Sequence, residues 1–536
     1  MSELPTLAFP ESFNMARWFL DERVTRDGLG GKTAILDDAG KWTFAQVLEL
    51  SQRVHGALVD GGVMPEDRVL IILDDSVEFA AAFFGVLRAG AVVTMANPDL
   101  PDDDYAYYLE YTRARAVIVE SRVAARPAVG RAIAASAFCR ARVVVRDEAP
   151  ISLDRYWSRW SEAVLARAPI ADAFDTSKDD PAVWLFTSGS TGKPKAAVHL
   201  HHDFPFNTEC YAKGALGMSS SDLTLAVPKL YFGYATGSNL MFPFAVGGTA
   251  ILFRDKATPE RLFDLAMQHE ATLLISVPTM INKMTQLILT GTEPARAGQL
   301  ASVRACVSAG EALPVELYRR WKELTGVEIL DGIGSAELFH IYISNTPGDV
   351  APGTLGKIVP GYEARLVGPD GKDVDNGEIG TLWVKGDSAA LCYWHAHEKS
   401  KEVLRGDWVV SGDLFTRDSD GRFRYVGRAD DLLKVGGIFV SPLEVEGALL
   451  THAAVLETCV VGYEDEEGLV KALAYVVLRA PAAGGEALAA ELLEHARSRL
   501  ARYKVPRRIE FVPELPRSDR GKVLRRVLTA ATGKSE

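Results

Sequence analysis

Cysteine is scarce in this chain, and its spacing argues against two classes of protein. There are five cysteines, an odd number, and no Cys-x-x-Cys pair occurs among them. Disulfide frameworks and zinc sites both draw on closely grouped cysteines, so neither is indicated. We expect structural thiols in a reducing compartment.

The chain also lacks a long hydrophobic run. Its first residues are partly acidic and contain no apolar segment of the kind that secretory signals carry. The most apolar stretch, residues 79–96, is interrupted by Arg88 and Gly90, which leaves it too short to span a bilayer. We therefore expect a cytoplasmic protein without a membrane partner.

Positive charge is in the minority. The chain has 59 Lys and Arg against 71 Asp and Glu, a formal net charge of −12. Nucleic-acid binding needs a basic face, so a nucleic-acid partner is not expected. The local exception is residues 497–526, which hold eleven basic and three acidic residues. This stretch fits either a polyanionic ligand or a solvated surface, and the solvated surface is the default interpretation.

What the chain does have is ordinary globular material. Its 536 residues are 48% hydrophobic and 24% charged, which predicts two to four packing units and excludes collagen, coiled coil and disorder. Short apolar runs at residues 68–73 and 116–119 are separated by helical patterns over 77–87 and 102–111. This alternation predicts an α/β fold with a parallel sheet.

The pattern changes in the last third of the chain. From residue 352 to about 429, short strands alternate with PDG, DNG and SDG turns, which predicts a β-rich subdomain. The last hundred residues predict a separate small α+β unit. Its expected elements are strands at about 455–461, 472–478 and 509–512 and a helix over 487–500.

The strongest local motif is TSGSTGKPK at residues 187–195, directly after an apolar strand at 183–186. Backbone amides freed by glycine, the hydroxyl groups of serine and threonine, and two lysines suit a phosphate. It is not a Walker A loop, because its glycines are too close and Pro194 follows Lys193 where Ser or Thr would stand. A flexible Ser/Gly turn is the alternative. The candidate phosphate ligands are Thr187, Ser188, Gly189, Ser190, Thr191, Gly192 and Lys193.

This motif resembles the phosphate loop of the adenylate-forming superfamily, which includes acyl-CoA synthetases, firefly luciferase and peptide-synthetase adenylation domains. Further family motifs follow in the family's order over nearly the whole chain: DGIGSAE at 331–337, SGD at 411–413, GRADD at 427–431, KVGG at 434–437 and a segment from Pro516 through Gly521 and Lys522. The resemblance implies a large N-terminal domain, residues 1–429, hinged at Asp430 to a small mobile C-terminal domain, residues 430–536.

The resemblance also implies the ATP site. It places Glu337 on Mg²⁺ between the ATP phosphates, Asp413 on the ribose hydroxyls and Arg428 near the ribose and the α-phosphate. Taken alone, each would be interpreted as an ordinary surface or turn charge. The other implied ATP contacts are Ala309, Gly310 and Glu311 at the adenine, together with Asp331, Gly332, Ile333, Gly334, Ser335 and Tyr425.

Two residues depart from the commonest family pattern. Asp331 stands where a tyrosine often precedes the glycine, which weakens any expectation of a tyrosine stacked on adenine. Ala336 stands where a threonine often precedes the glutamate, which removes a hydroxyl that commonly contacts phosphate. Ser335 is a candidate to replace that hydroxyl.

The resemblance assigns the catalytic residues to the C-terminal domain. Lys522 would bridge the substrate carboxylate and the α-phosphate during adenylate formation, although by spacing alone it is one surface cation in a basic run. Gly436 and Gly437 resemble the loop that enters the site in the second half-reaction, where missing side chains would let a pantetheine arm pass. The family mechanism then rotates the domain about Asp430, withdrawing Lys522 and presenting Gly437.

The acceptor is predicted to be free coenzyme A, because no carrier-domain motif follows Lys522. Residues 497–526 would help to hold the CoA phosphates. A freestanding enzyme that loads a separate carrier protein remains an alternative. No catalytic nucleophile on the protein is required by this chemistry.

The acid is predicted from a subtler match. Residues 198–203 and 230–234 resemble the branch of the family that joins benzoate to coenzyme A, with Tyr231 as an aromatic wall of the acyl pocket. Phe232 and Gly233 follow where amino-acid-activating members place an aspartate, so amino acids are disfavoured. The other expected wall or floor positions are Ala309, Gly332, Ile333, Gly334 and His340.

The histidines at 199, 201 and 202 invite a metal-site interpretation. Alternate strand residues point the same way and the third does not, and the spacing completes no ligand set. We interpret His199, His201 and His202 as loop and pocket-lining residues.

Together these features predict a ligase for benzoate or a close analogue, using ATP, Mg²⁺ and coenzyme A. Medium-chain fatty acids are an alternative if the pocket continues as a tunnel past Ile333 and His340, and hydroxy- or aminobenzoates are another. A catalytically silent nucleotide-binding or carrier-partner protein is the alternative from another class, disfavoured by the joint presence of Lys193, Glu337, Asp413, Arg428 and Lys522. A homodimer is compatible with the sequence, and acylation of Lys522 is a hypothesis for regulation.

Overall fold

The computed structural model describes residues 7–146, 157–188, 193–290, 294–428, 431–435, 438–465, 470–479, 484–517 and 523–532. They form a large N-terminal α/β body and a smaller C-terminal α+β unit, as the sequence predicts. Within these ranges, no helix is long and apolar enough to cross a membrane.

The body contains 22 of the described strands. They are β1 Thr33–Asp37, β2 Gly40–Thr43, β3 Arg68–Ile72, β4 Val92–Met95, β5 Ala116–Glu120, β6 Ala141–Val145, β7 Trp157–Arg159, β8 Pro181–Ser188, β9 Pro194–Leu200, β10 Leu223–Ala226, β11 Thr249–Ile251, β12 Leu273–Ser276, β13 Ala305–Ser308, β14 Glu328–Gly334, β15 Ile341–Ser344, β16 Lys357–Ile358, β17 Glu363–Val367, β18 Gly380–Lys385, β19 Cys392–Tyr393, β20 Leu404–Arg405, β21 Trp408–Arg417 and β22 Phe423–Arg428. The C-terminal unit adds β23 Leu433–Val435, β24 Ile438–Val440, β25 Val455–Glu464, β26 Val470–Leu478 and β27 Arg508–Phe511.

The described α-helices follow the same division. In the body they are α1 Glu22–Thr25, α2 Phe44–Asp60, α3 Val77–Arg88, α4 Asp102–Thr112, α5 Ser121–Ala124, α6 Pro127–Ala135, α7 Asp203–Asn207, α8 Gly233–Thr236, α9 Phe242–Val246, α10 Pro259–His269, α11 Pro278–Thr290, α12 Val315–Thr325 and α13 His397–Val403. In the C-terminal unit they are α14 Pro442–Leu450, α15 Glu486–Arg497 and α16 Arg525–Thr532.

Local chemistry explains where several helices begin. At α2, the Thr43 hydroxyl accepts the Gln46 N–H while the Gln46 side chain accepts the Thr43 N–H, a complete capping box. Ser76 caps α3 by accepting the N–H of Phe79. Pro278 opens α11, where its missing N–H costs no hydrogen bond.

Two large sheets form the body. The first has the order β19-β9-β8-β4-β3-β5-β6-β7 and is parallel from β8 to β7. The second has the order β16-β15-β14-β13-β12-β10-β11-β1-β2 and is parallel from β14 to β1. The predicted parallel α/β sheet is therefore confirmed, and it occurs twice.

The turn-rich stretch after residue 352 forms a third, antiparallel sheet of β17, β18, β20, β21 and β22. Two strands in that stretch depart from the predicted β-rich subdomain. β16 pairs with β15 at the edge of the second sheet, and β19 pairs with β9 at the edge of the first. The same stretch of sequence thus supplies the third sheet and one edge strand of each large sheet.

The C-terminal unit has a separate interior. β25 and β26 pair antiparallel and β26 pairs parallel with β27, close to the predicted positions. Among the described residues, no buried apolar cluster contains members from both sides of residue 430. All five cysteines are free thiols, four of them buried, which agrees with the structural role expected for them.

Candidate active site

The carboxyl ends of β12, β13 and β14 form one edge of the second sheet. Ser276, Ser308 and Asp331 are successive register partners across these strands. Ligands of open α/β sheets bind at this kind of edge. The predicted adenine turn, residues 309–311, follows β13 here, and Gly310 has a φ of 88°, a conformation that favours glycine.

The turn is fixed by its glutamate. Glu311 Oε2 accepts the backbone N–H of Thr279 at 3.1 Å and its hydroxyl at 2.7 Å. Because Thr279 lies in the first turn of α11, the carboxylate also satisfies a helix N–H that has no partner within the helix. Sequence reasoning missed Thr279, since nothing in a threonine after a proline indicates a partner 32 residues away.

Two glycines of the DGIGSAE motif are required by strand packing. A Cβ atom on Gly334 would lie 2.4 Å from the His340 carbonyl oxygen, and one on Gly332 would lie 2.8 Å from that of Ile343. Glycine therefore lets β15 fold back on β14. The hydroxyl of Ser335 bonds to the buried Tyr342, whose phenol has its pKa raised by burial.

Asp331, which begins the motif, is enclosed by protein. Its side chain is 6% exposed, and burial raises its pKa to about 8, with a smaller opposing effect from the Ser308 hydroxyl. The carboxyl is therefore protonated at neutral pH. This is a different environment from the solvated carboxylates of the surface.

Glu337 is held in place by a tyrosine from another sheet edge. The Tyr393 hydroxyl donates to Glu337 Oε1, and the Ala390 N–H donates to the Glu337 carbonyl oxygen at 2.8 Å. Tyr393 lies on β19, which reaches this position by pairing with β9. Sequence reasoning missed Tyr393, because the contact spans 56 residues and depends on sheet topology.

The residues predicted for the ribose converge on the third sheet. Asp413 on β21 and Arg428 on β22 are register partners, and the Tyr425 hydroxyl donates to Asp413 Oδ1 at 3.3 Å. A Cβ on Gly412 would lie 2.7 Å from Arg428 Nη2, so glycine leaves room for the guanidinium. The structure brings these three predicted residues together.

The phosphate loop joins β8 to β9, two antiparallel strands whose register places Thr187 opposite Lys195. Lys193 is exposed, and its Nζ lies 4.9 Å from the ring centroid of Tyr107. Four predicted ligands, Gly189, Ser190, Thr191 and Gly192, lie outside the described residues, as does the side chain of Ser188.

The start of the predicted aromatic wall is anchored by a buried carboxylate. Asp75 Oδ1 accepts the N–H of Leu230 at 2.8 Å, one residue before Tyr231. Burial raises the pKa of Asp75 to about 6, against an opposing effect from Lys229. The ring of Tyr231 packs edge-on against Phe232, with centroids 4.6 Å apart.

A second tyrosine joins this wall to the sheet edge. The Tyr234 hydroxyl donates to the carbonyl oxygens of Ser276 and Val307, and His340 Nε2 donates to the Tyr234 carbonyl oxygen at 3.0 Å. Burial lowers the pKa of His340 to about 3, so its imidazole is neutral. Tyr234 was missed as a site residue, although the Leu-Tyr-Phe-Gly-Tyr segment contains it.

The histidine cluster only partly matches its interpretation. His202 lines a surface cavity, as expected. The pocket-lining role is wrong for His199 and His201, which are fully buried: His199 Nδ1 lies 2.7 Å from Asp203 Oδ2, and His201 Nδ1 accepts the Met15 N–H. His199 lies on β9 and His201 directly after it, and both side chains point into the interior. Within the described ranges, no group of three or more residues can hold a metal ion alone.

A cavity of about 410 Å³ adjoins Lys193. Tyr107 and Tyr111 stack in its wall, with centroids 5.2 Å apart and planes inclined by 25°. Arg113 and His395 both have positive φ, 51° and 50°, and Arg113 is the left-handed C-cap of α4. The lining residues are Tyr107, Glu110, Tyr111, Arg113, Phe138, Lys193 and His395.

In the C-terminal unit, the chain on both sides of residues 518–522 is firmly held. Arg525 forms paired bonds with buried Glu446, at 2.6 and 2.8 Å, and donates to the Val460 carbonyl oxygen. The Leu524 N–H donates to the Pro516 carbonyl oxygen at 2.8 Å. The predicted catalytic Lys522, the hinge Asp430 and the passage glycines Gly436 and Gly437 lie outside the described residues.

The chain is similar to known proteins over almost its full length. The AMP-binding enzyme family matches residues 20–394, and the AMP-binding enzyme C-terminal domain matches residues 444–522. The benzoate–CoA ligase of Thauera aromatica is 40% identical over 98% of each chain. The structure of a benzoate CoA ligase from Burkholderia xenovorans LB400 matches with a TM-score of 0.86 and 40% identity, covering 96% of this chain and 100% of that one. The structure of the anthranilate CoA ligase AuaEII with anthranoyl-AMP matches with a TM-score of 0.90 and 36% identity, covering 98% of each.

Proposed function

The chain belongs to the AMP-binding enzyme family, and on that premise we propose that it ligates benzoate, or a close small-ring analogue, to coenzyme A. The acid carboxylate attacks the α-phosphate of ATP, forming an acyl-adenylate and releasing pyrophosphate. The CoA thiol then attacks the acyl carbonyl carbon, and AMP leaves. The two steps require that acid and nucleotide meet at one place.

One observation carries this proposal: the candidate acid wall and the candidate adenine turn share a sheet edge. Tyr234 donates to the Val307 carbonyl oxygen, and Ala309 follows two residues later on the same strand end. A benzoate ring beside Tyr234 would therefore lie next to a nucleotide at residues 309–311. Such placement supplies the proximity that a two-substrate reaction needs.

Ring packing favours an aryl acid over a fatty acid. The buried His340 ring lies 4.6 Å from Phe242 and 5.5 Å from Tyr211, measured between centroids. A Cβ on Gly237 would lie 2.5 Å from His340 Cδ2, so this region is tightly filled. A medium-chain acid would have to displace these rings, whereas a benzene ring suits a short aromatic pocket.

A substituted benzoate is the second candidate. Among the described residues, His340 Nδ1 has no hydrogen-bond partner, and in the neutral ring this nitrogen is an acceptor. An amino or hydroxyl substituent would satisfy it. The similarity to an anthranilate CoA ligase points the same way.

Magnesium fits the residues at Glu337. Mg²⁺ is usually bound by one or two carboxylates together with substrate phosphates, so a full set of protein ligands is not needed. Glu337 supplies a hard oxygen donor whose orientation Tyr393 fixes. When bound there with ATP, the ion would neutralise phosphate charge.

The cavity beside Lys193 is the proposed site for the nucleotide end of CoA. Tyr107 and Tyr111 offer aromatic faces to a purine, and Arg113 offers a cation to phosphates. Residues 497–526 are a second source of positive charge. Arg113→Gln should raise the KM for CoA severalfold without changing pyrophosphate release in the absence of CoA.

The division of labour in the C-terminal domain is also a proposal. Lys522 would serve adenylate formation, and after rotation about Asp430 the Gly436–Gly437 pair would admit the thiol. Acylation of Lys522 would remove its charge and stop the first step. A sample acetylated at Lys522 that retained full activity would refute this regulatory idea.

Substrate competition tests the function. With ATP, Mg²⁺ and CoA, kcat/KM for benzoate should exceed that for octanoate at least tenfold, and 2-aminobenzoate and hydroxybenzoates measure the second candidate. Equal values for benzoate and octanoate would reject the aryl pocket. Pyrophosphate release from ATP and benzoate without CoA would exclude a catalytically silent protein.

A further inference from the structure

Arg517 connects the C-terminal unit to the body. Its Nη2 lies 2.9 Å from Glu457 Oε2 on β25, within its own unit. Its Nη1 donates to the Thr279 hydroxyl at 3.5 Å, across the boundary, in the first turn of α11. The side chain is about one-quarter exposed, so these bonds are only partly screened by water.

The contact continues to the adenine turn through one hydroxyl group. Thr279 donates its proton to Glu311 Oε2 at 2.7 Å and accepts from Arg517 on its oxygen. A hydroxyl can do both at once. Arg517 is therefore joined through Thr279 to the glutamate that ends residues 309–311.

Elsewhere along the described boundary, the Ser441 hydroxyl donates to the Val426 carbonyl oxygen, and α14 packs against β22. Arg479, at the end of β26, faces Arg320 on α12, and its pKa is lowered by burial and by that like charge. The apolar clusters of the described residues stop on either side of the boundary. Arg517 thus makes an attractive polar contact close to two arginines that repel each other. Among the described residues, no apolar core shared by the two parts supports this contact.

We propose that Arg517 is a positioning residue for the nucleotide step. Its fork holds the C-terminal domain against the 309–311 turn while acid and ATP react, and it must let go before the thiol step. The inference rests on the proposed function, because it assigns Arg517 to the first of two half-reactions. Arg517 acts through Thr279 and Glu311 and touches no reacting atom.

The half-reactions separate this role from a general effect on folding. Arg517→Gln should slow pyrophosphate release from ATP and benzoate about tenfold, the scale of one charge-assisted hydrogen bond. Conversion of supplied benzoyl-adenylate and CoA to thioester should change less than twofold. Lys471→Gln is the matched control, since Lys471 pairs with Asp465 inside the C-terminal unit, and it should leave both rates unchanged.

The partner residue sharpens the test. Thr279→Val should slow the first half-reaction, Thr279→Ser should restore it, and the Arg517→Gln/Thr279→Val pair should be little worse than either alone. Arg517→Lys keeps the charge and cannot bridge both partners, so it should resemble the glutamine variant. Equal loss in both half-reactions, additive variants or a fully active lysine variant would each overturn the proposal.

A readout without turnover distinguishes this inference from the proposed function. ATP should slow chymotryptic cleavage between the two domains of the unmodified protein and protect Arg517→Gln less. If the unmodified protein releases no pyrophosphate from ATP with benzoate or its analogues, the proposed function fails. The cleavage experiment still tests whether Arg517 holds the two domains together. Identical protection of both proteins would refute the contact's role.

Discussion

The body and the C-terminal unit bury their apolar residues in different ways. One large cluster in the body packs residues of both major sheets together, including Phe83, Leu185 and Ile275. In the C-terminal unit, β26 alternates between two small clusters, with Val476 in one and Tyr475 in the other. Successive residues of a strand point to opposite faces of the sheet, so a sheet covered on both faces buries them in two different clusters.

This difference indicates that the body is the more rigid of the two parts. The site edge of the body is part of a continuous interior, so it is preorganised for binding. The C-terminal unit has its own interior, and its described contacts with the body include the polar ones at Arg517 and Ser441 and the repulsive Arg479–Arg320 pair. Polar interfaces between domains permit relative motion, which the proposed rotation between two half-reactions requires.

Two buried carboxyl groups, one in each part, have different partners. Burial raises the pKa of Asp331 in the body to about 8, and the Ser308 hydroxyl and the Gly332 N–H have smaller opposing effects. Glu446 in the C-terminal unit is also pushed upward by burial, but the paired bonds from Arg525 favour its charged form. Asp331 is thus a neutral acid and Glu446 is part of an ion pair, and the body has a buried ion pair of its own between Glu120 and Arg146.

The largest effect should follow from replacing Lys522 in the C-terminal unit, which should slow adenylate formation at the site in the body. Lys522→Ala should lower the rate of adenylate formation about 10²–10³-fold, the usual result of removing a preorganised charge. It should still convert benzoyl-adenylate and CoA to thioester. Stopped-flow pyrophosphate release measures the first step, and an equal loss in both steps would contradict the assignment of Lys522. Lys522→Arg is the control that keeps the charge.

Separate interiors should unfold separately. Leu492, fully buried on α15, contributes only to the C-terminal interior, so Leu492→Ala should destabilise that unit by about 2–5 kcal/mol. Calorimetry should then show an earlier transition for the C-terminal unit and an unchanged one for the body. A single transition that shifts as a whole would mean that the two parts fold as one.

Asp331 should make the stability of the body depend on pH. The folded state holds its proton up to about pH 8, while the ordinary pKa of the group is 3.8, so the folded state binds more protons between those values. The free energy of unfolding of the body should therefore fall as pH rises from about 4 to 8, by at most about 1.4 kcal/mol per pH unit.

Asp331→Asn cannot titrate and should lack this slope. Denaturant unfolding of the body at pH 5, 6, 7 and 8 tests it, with the transition of the C-terminal unit as an internal reference. A variant that kept the full slope would show that Asp331 is not its source.

The smallest effect concerns the tyrosine behind Glu337. Tyr393→Phe removes one hydrogen bond, about 1 kcal/mol, and should raise the Mg²⁺ concentration for half-maximal activity roughly fivefold. Tyr425→Phe removes the corresponding bond to Asp413 and should raise the KM for ATP without altering the Mg²⁺ dependence. If both variants shifted Mg²⁺ dependence alike, Tyr393 would have no special link to the ion.

Local signals in the sequence predicted the elements well. The Thr43–Gln46 capping box, the strands around 68–73 and 116–119, and the elements of the C-terminal unit all lie within a few residues of their expected positions. These features depend on neighbours in the chain, through hydrogen-bonding caps and hydrophobic periodicity.

Contacts between distant parts of the chain were not predictable in the same way. Tyr393 at Glu337 and Arg517 at Thr279 join residues far apart in the chain, and spacing does not reveal which elements become neighbours. Asp413, Arg428 and Tyr425 were named in advance because family motifs mark them, and the structure places them together. For Lys522 and Gly437 the assignment stays a prediction.

The pairing of β19 with β9 has a practical consequence for anyone recombining this chain with a relative. If the crossover is placed near residue 352, where the turn-rich stretch begins, β19 comes from the relative and β9 from this chain. The relative's β19 must then pair with this chain's β9, and its residue at position 393 must contact this chain's Glu337. A junction placed after residue 394 keeps both strands from one parent. Hybrids cut there should keep the Tyr393–Glu337 contact intact, whichever parent supplies the C-terminal unit.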